Sequence, residues 1–173
     1  MTSLAPPVSP MRNAWTLSSV MLVLAGIIVV GIGLYFIVLR PALLPEDVRY
    51  MRLSSTELET IGPRLEEWLT HVFRVLGGYA LATGALLIAL ASTAFRRRLP
   101  VAVAGALVGG ASSIGLMAVV NFMIDSDFKW PLLAGALVWA LSLVVFWFEN
   151  DGSAETLQEQ QPAASHQWKE PNP

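Results

Sequence analysis

The stretch AWTLSSVMLVLAGIIVVGIGLYFIVL, residues 14–39, contains no Asp, Glu, Lys, Arg or His, and the first charge after it is Arg40. A bilayer hydrocarbon core about 30 Å thick is crossed by about 20 apolar residues at helical rise. This run exceeds that length. A secretory signal peptide has a shorter apolar run, about 7–15 residues, followed by a small-residue cleavage site. Here the run ends in Leu34-Tyr35-Phe36-Ile37-Val38-Leu39-Arg40 and reads as a retained membrane anchor.

Working outward, the same pattern recurs along the chain. A second apolar span covers about residues 73–95 and stops at Arg96-Arg97-Arg98. Pro100 opens a third, about 101–124, which closes on the charged turn Asp125-Ser126-Asp127-Phe128-Lys129. The fourth, 130–148, has Trp130 and Trp147 at its two ends, where aromatic belts meet the membrane interface. The expected fold is all-α: an integral membrane antiparallel four-helix bundle over residues 14–148, with a structured connection at 40–72. The proline-rich tail 1–13 and the acidic tail 149–173 read as disordered. Composition agrees, since 54% of residues are hydrophobic and only 14% charged, against about 25% charged in soluble domains.

The composition also excludes chemistry. There is no cysteine, so disulfides, thiolate metal sites, iron–sulfur ligation and cysteine nucleophiles are absent. The formal net charge of −2, with no basic face at helical spacing, gives no footing for a nucleic-acid partner.

The connection between the first two spans carries most of the local detail. Pro41 and Pro45 stop the first helix. Glu46-Asp47-Val48-Arg49 reads as a solvated turn after Pro45, with a polar docking surface as the functional alternative. Ser54 with Glu57, or Thr56 with Glu59, has capping-box spacing. After Gly62-Pro63, the residues Leu65, Trp68, Leu69, Val72, Phe73 and Leu76 recur at helical intervals. This predicts a short interfacial amphipathic helix before the second span.

Orientation follows from the arginines, because positive residues in short loops favour the cytoplasmic side. The Arg96–Arg98 triplet is the densest cluster, and placing it inside puts both termini inside. Arg12 agrees; Arg40, Arg49, Arg52 and Arg64 in the first connection oppose it. The compact triplet is taken as the stronger signal, giving an N-in, C-in protein.

No ionisable Asp, Glu, Lys, Arg or His falls in the centre of any span. Ion pumps, proton-coupled carriers and voltage sensors place such groups at membrane depth, so the sequence argues against those cycles. Asn121 is the deepest strongly polar side chain and is expected to hydrogen-bond a neighbouring helix. Small residues are frequent: Gly105 and Gly109 form a GxxxG, and Gly77, Gly78 and Gly84 stand on the second span. They read as helix-packing positions within the bundle, with a homo-oligomer face as the alternative.

Candidates for chemistry are few. Glu67, His71 and Arg74 fall on one helix face near the water boundary, where a carboxylate can orient an imidazole. Residues so spaced on an exposed helix are usually solvated neighbours. With Glu46, Asp47 and Arg49 they form a candidate polar docking or interface site. Only His71 lies near the bundle, so bis-histidine haem within one chain is not expected, and no metal motif or phosphate loop occurs. No cofactor is expected.

Gly33-Leu34-Tyr35-Phe36, Arg40-Pro41, Pro45-Glu46-Asp47, Arg49-Tyr50-Met51, Pro63-Arg64-Leu65 and Val75-Leu76-Gly77-Gly78 resemble a group of small four-pass bacterial membrane proteins. The resemblance spans about residues 31–90 and implies four passes and a bacterial source. It brings no catalytic or binding residues.

The expected function is non-catalytic: a small accessory or structural subunit packing against membrane-protein partners within the lipid bilayer of a bacterial cytoplasmic membrane. The main rival is a carrier or binding protein for an uncharged apolar molecule of lipid or quinone type, with Thr83, Ser112, Ser113 and Asn121 as polar contacts. A side cleft between the second and third spans would favour that rival. A third reading, an interfacial enzyme, requires Glu67 and His71 to face a common pocket.

Overall fold

The computed structural model describes residues 15–52, 54, 56, 57 and 62–165. Helix α1 is Leu17–Val38, α2 is Pro45–Met51, and α3 is Pro63–Leu90, prolonged by a π-helical turn at Ala91–Phe95. Then come α4, Pro100–Gly110, a second π-helical turn at Ala111–Gly115, α5, Leu116–Met123, and α6, Lys129–Ser165. Four stretches are long and apolar enough to cross a membrane: Leu17–Val38, Pro63–Phe95, Pro100–Met123 and Lys129–Glu149, of 22, 33, 24 and 21 residues.

Local chemistry sets the ends. Thr16 caps α1, its Oγ1 accepting from the Ser19 amide at 3.3 Å. At the other end the amides of Leu39 and Arg40 both fold back onto the Tyr35 carbonyl, and Pro41 prevents continuation. Pro63 and Pro100 open α3 and α4 at the first turn, where a missing N–H costs nothing. Arg52, Arg98 and Asp125 take left-handed φ values of 55°, 57° and 53° and turn the chain after a helix.

Three expectations change. Helix α3 runs unbroken from Pro63, so the amphipathic segment is the first turns of the second span and not a separate short helix. No glycine or proline interrupts residues 64–76, and helix once nucleated propagates. The segment Pro45–Met51 is helix α2, not a solvated turn, because Pro45 supplies the first position and Glu46 and Asp47 complement the N-terminal dipole. The fourth helix continues past Glu149 to Ser165, against the expected unstructured tail, since Glu155, Gln158, Glu159, Ala163 and Ala164 are strong helix formers. Of the remaining expectations, the tail 1–13, Glu59 and His166 lie outside the described residues, whereas the Ser54–Glu57 capping box forms, with reciprocal bonds of 2.8 and 3.3 Å.

Helix α1 packs against both α3 and α6. A Cβ built on Gly77 would lie 2.7 Å from the Gly33 carbonyl oxygen, and one on Gly84 would lie 2.6 Å from that of Gly26. Position 26 meets 84 and position 33 meets 77, so α1 and α3 run in opposite directions with backbones touching. Of the glycines named from sequence, Gly77 and Gly84 stand at this contact, while Gly78 has nothing within 4 Å. Gly105 and Gly109 meet only Leu90 and Leu87 side chains, at 3.4 and 3.6 Å. Gly26 and Gly33 were not named as packing positions, and Gly110, one face over from the GxxxG, makes room for the Trp139 ring.

The tight core lies toward one end, around Leu22, Leu87, Ala91, Phe95, Ala102, Ala106 and Phe146. Phe95 and Phe146 rings stand 4.6 Å apart there. Glu149 closes this end by accepting from Ser18 Oγ at 2.6 Å and from Arg98 Nη2 at 3.1 Å. The outward surface is apolar: Val38, Leu86, Val101, Val108, Met123 and Phe148 are all at least 66% exposed, which in water would be a large unpartnered patch.

Candidate functional site: a side cleft between the second and third spans

Helices α3 and α4 touch where Leu87 and Leu90 meet Gly109 and Gly105, close to the turn that joins them. Farther from the turn the two spans part, and a cleft of about 780 Å³ opens between them. That volume falls within the range of ligand sites, about 300–1,000 Å³. One wall is Phe73, Leu76, Tyr79, Ala80 and Thr83, which share one face of α3. The other is Ser112, Ser113, Leu116, Met117, Val120 and Asn121, again one face. Ile28 and Ile32 of α1 and Leu132 of α6 form the floor. The rims Leu76, Tyr79, Leu116 and Val120 are exposed, so the cleft opens sideways.

Four polar groups stand along the walls, and each already donates to a carbonyl of its own helix. Thr83 Oγ1 donates to the Tyr79 carbonyl at 2.8 Å, Ser112 Oγ to Val108 at 2.7 Å, and Ser113 Oγ to Gly109 at 2.6 Å. Asn121 Nδ2 donates to the Met117 carbonyl at 2.9 Å, within its own helix and not to a neighbour as expected. A helix can satisfy such groups itself, one turn back, when no facing helix is in reach. Their oxygen lone pairs remain as acceptors toward the cleft.

The π-helical turn Ala111–Gly115 supplies both serines. A π turn holds one residue more than the α-helix it interrupts and weakens the backbone ladder locally. The two hydroxyls take carbonyls that this loosens, as Ser92 and Thr93 do in the first π turn with Ile88 and Ala89.

One end of the cleft is polar. Arg40 Nη2 donates to Asp47 Oδ2 at 3.0 Å, and the arginine side chain is only 8% exposed. Its guanidinium carbon lies 3.3 Å from the Phe73 ring centroid and 5.3 Å from that of Phe36. Asp47 also accepts from the Leu44 amide at 2.9 Å, which fixes α2 to the end of α1. Glu46 is 2% exposed and accepts from Ser126 Oγ at 3.3 Å. Arg49 turns away, donating to Asp127 at 3.1 Å and to the Asp125 carbonyl at 3.0 Å.

The residues named from sequence thus divide. Glu46 and Asp47 line the cleft, while Arg49 ties α2 to the turn before α6. Glu67, His71 and Arg74 are exposed on α3. His71 borders a shallow pocket with Val72, Val75 and Leu76, and Glu67 is not among its walls. Among the described residues no cluster of His, Asp and Glu could hold a metal ion. Sequence reasoning missed Arg40, Ser126 and the aromatic residues Tyr35, Phe73 and Phe128 around the polar end. The Arg40 and Asp47 pair had a signal, opposite charges flanking two prolines. Glu46 and Ser126, 80 positions apart, had none. Comparison with protein families, with curated proteins and with solved structures finds no match for the chain.

Proposed function

We propose that the protein crosses a bacterial cytoplasmic membrane four times as an antiparallel bundle, N-in and C-in, and binds a membrane-soluble small molecule in the side cleft. The molecule has an uncharged, apolar body of lipid or quinone type. The observation that carries this reading is the cleft itself, with Thr83, Ser112, Ser113 and Asn121 along its walls and its opening between the second and third spans. An accessory subunit needs apolar outer faces but has no use for a chamber of 780 Å³. The enzyme reading is weakened by Glu67 standing outside the pocket at His71. The function is non-catalytic on this view.

Native mass spectrometry of the full chain, extracted gently from its own membrane, tests the reading. A saturable one-to-one small molecule is expected, and Ala80→Trp, which fills the cleft, removes it while the fold persists. A chain that retains nothing, or retains equally after Ala80→Trp, overturns the proposal. A stoichiometric second polypeptide in that spectrum would instead support the accessory subunit.

A further inference from the structure

The cleft's polar end specifies more than an apolar occupant. Its charged lining consists of Arg40, Asp47 and Glu46, one cation against two carboxylates. Arg40 is already engaged by Asp47 and by the Pro41 carbonyl at 3.1 Å, with its face on Phe73. The nearby charges Arg49, Asp125, Asp127 and Lys129 pair with one another on the outer side of the turn. Glu46 is left 2% exposed, with one neutral hydroxyl bond from Ser126. A buried carboxylate held so sparsely gains strongly from a cation or a charge-assisted donor.

The surroundings point the same way. Tyr35 and Phe128 rings, 6.1 Å apart, both line this end of the cleft and can offer faces to an ammonium group. Deeper in, Thr83, Ser112 and Ser113 present acceptor lone pairs, having spent their hydrogens on their own helices, and Asn121 keeps its carbonyl oxygen and one N–H. Apart from Arg40, every donor on the lining is neutral, whereas Glu46 and Asp47 add two carboxylates to its acceptors. A carboxylate or phosphate headgroup would meet Glu46 and Asp47 as like charges.

We propose that the cleft holds a single-chain amphiphile with an amine headgroup, its ammonium bound to Glu46 and its apolar tail lying between α3 and α5. This rests on the side-cleft reading and narrows it: the uncharged body is the tail, and the head carries one positive charge. One such charge balances the lining of the polar end.

Three probes sharing one tail decide the matter: dodecylamine, dodecanol and dodecanoate, offered at equal mole fraction in neutral micelles to the full chain. One-to-one binding is read by native mass spectrometry. Dodecylamine is expected to bind at least roughly tenfold more tightly than dodecanol, with dodecanoate weakest. Glu46→Gln is expected to remove that preference, and Ser126→Ala, which keeps the carboxylate, to retain it. Dodecanol or dodecanoate binding as tightly as the amine overturns the headgroup assignment and leaves the cleft reading standing. No saturable binding of any probe overturns both. If Glu46→Gln does not fold, the order of the three probes on the unaltered chain decides alone.

Discussion

Trp139 on α6 donates its indole N–H to the Ala106 carbonyl on α4 at 2.9 Å, across a notch that exists because residue 110 is glycine. A Cβ at that position would clash with the Nε1 edge of the indole ring. Gly110→Ala is therefore expected to destabilise the protein by about 1–3 kcal/mol through forced repacking. Trp139→Phe, which keeps most of the ring and loses the bond, should cost about 1 kcal/mol. Thermal melting in one detergent compares the two, and an equally stable Gly110→Ala would show that the notch is not tightly filled.

The glycine pairs on α1 and α3 predict a contrast within one helix. Gly84→Val pushes against the Gly26 carbonyl and the Val30 side chain and is expected to separate the two helices. Gly78→Ala, with nothing within 4 Å, should be neutral or slightly stabilising, because alanine is the better helix former. Melting temperatures of the two variants should differ in sign relative to the parent chain.

Removing one partner of a buried ion pair leaves the other charge stranded. Asp47→Ala strands the Arg40 guanidinium, whose side chain is 8% exposed, and frees the Leu44 amide. A loss of about 3 kcal/mol is expected. Arg40→Met with Asp47→Ala should recover part of it, a non-additivity that a double-mutant cycle on melting data measures.

Acid should loosen the two loops outside the spans. Ser54 hydrogen bonds hold the Glu57 carboxyl below its ordinary pKa, and the hydrogen bond and charge of Lys129 do the same for Asp125. A group lowered on folding stabilises the fold above its unfolded pKa, and that contribution is lost as pH falls through the folded value. Amide protection near residues 54–57 and 125–129, with the intrinsic exchange rate divided out, is therefore expected to fall below about pH 4 and to stay level between pH 6 and 8. Ser54→Ala, which removes the larger cause of that lowering, should diminish the acid step near Glu57.

Because the chain has no native cysteine, single cysteines can map the cleft. Ser113→Cys is expected to react with a membrane-soluble maleimide, and Ala106→Cys, at a fully buried position, to resist it. Equal reactivity of both, or of neither, would contradict a cleft open to lipid.

The spans were legible in the sequence because apolar length alone sets them, and Arg96–Arg98 and Asp125–Lys129 mark their limits without reference to anything distant. Pro63 likewise announced the start of α3, although the amphipathic turns after it concealed that no break follows. The glycines were harder. Gly77 and Gly78 are adjacent and identical in sequence, yet only the first faces α1, and a one-residue difference in helical phase decides which. Thr83, Ser112, Ser113 and Asn121 could be named as polar groups in apolar helices, but their gathering about one cleft depends on how far α3 and α5 diverge. Glu46 was misread because it is buried with Ser126 as its hydrogen-bond partner, which the chain brings back only after two further spans.

The π-helical turn at Ala111–Gly115 has a consequence for how such a cleft can arise. One residue added to an α-helix shifts everything beyond it by about 100° around the axis. The segment before the turn keeps Ala102 and Ala106 in the core, while the segment after it shows Met117 and Asn121 to the cleft. Deleting Ser112 alone would return α4 and α5 to one continuous register and rotate those two side chains away. A chamber in the wall of a bundle can thus be opened or shut by the gain or loss of a single codon, with the core at the other end left in place.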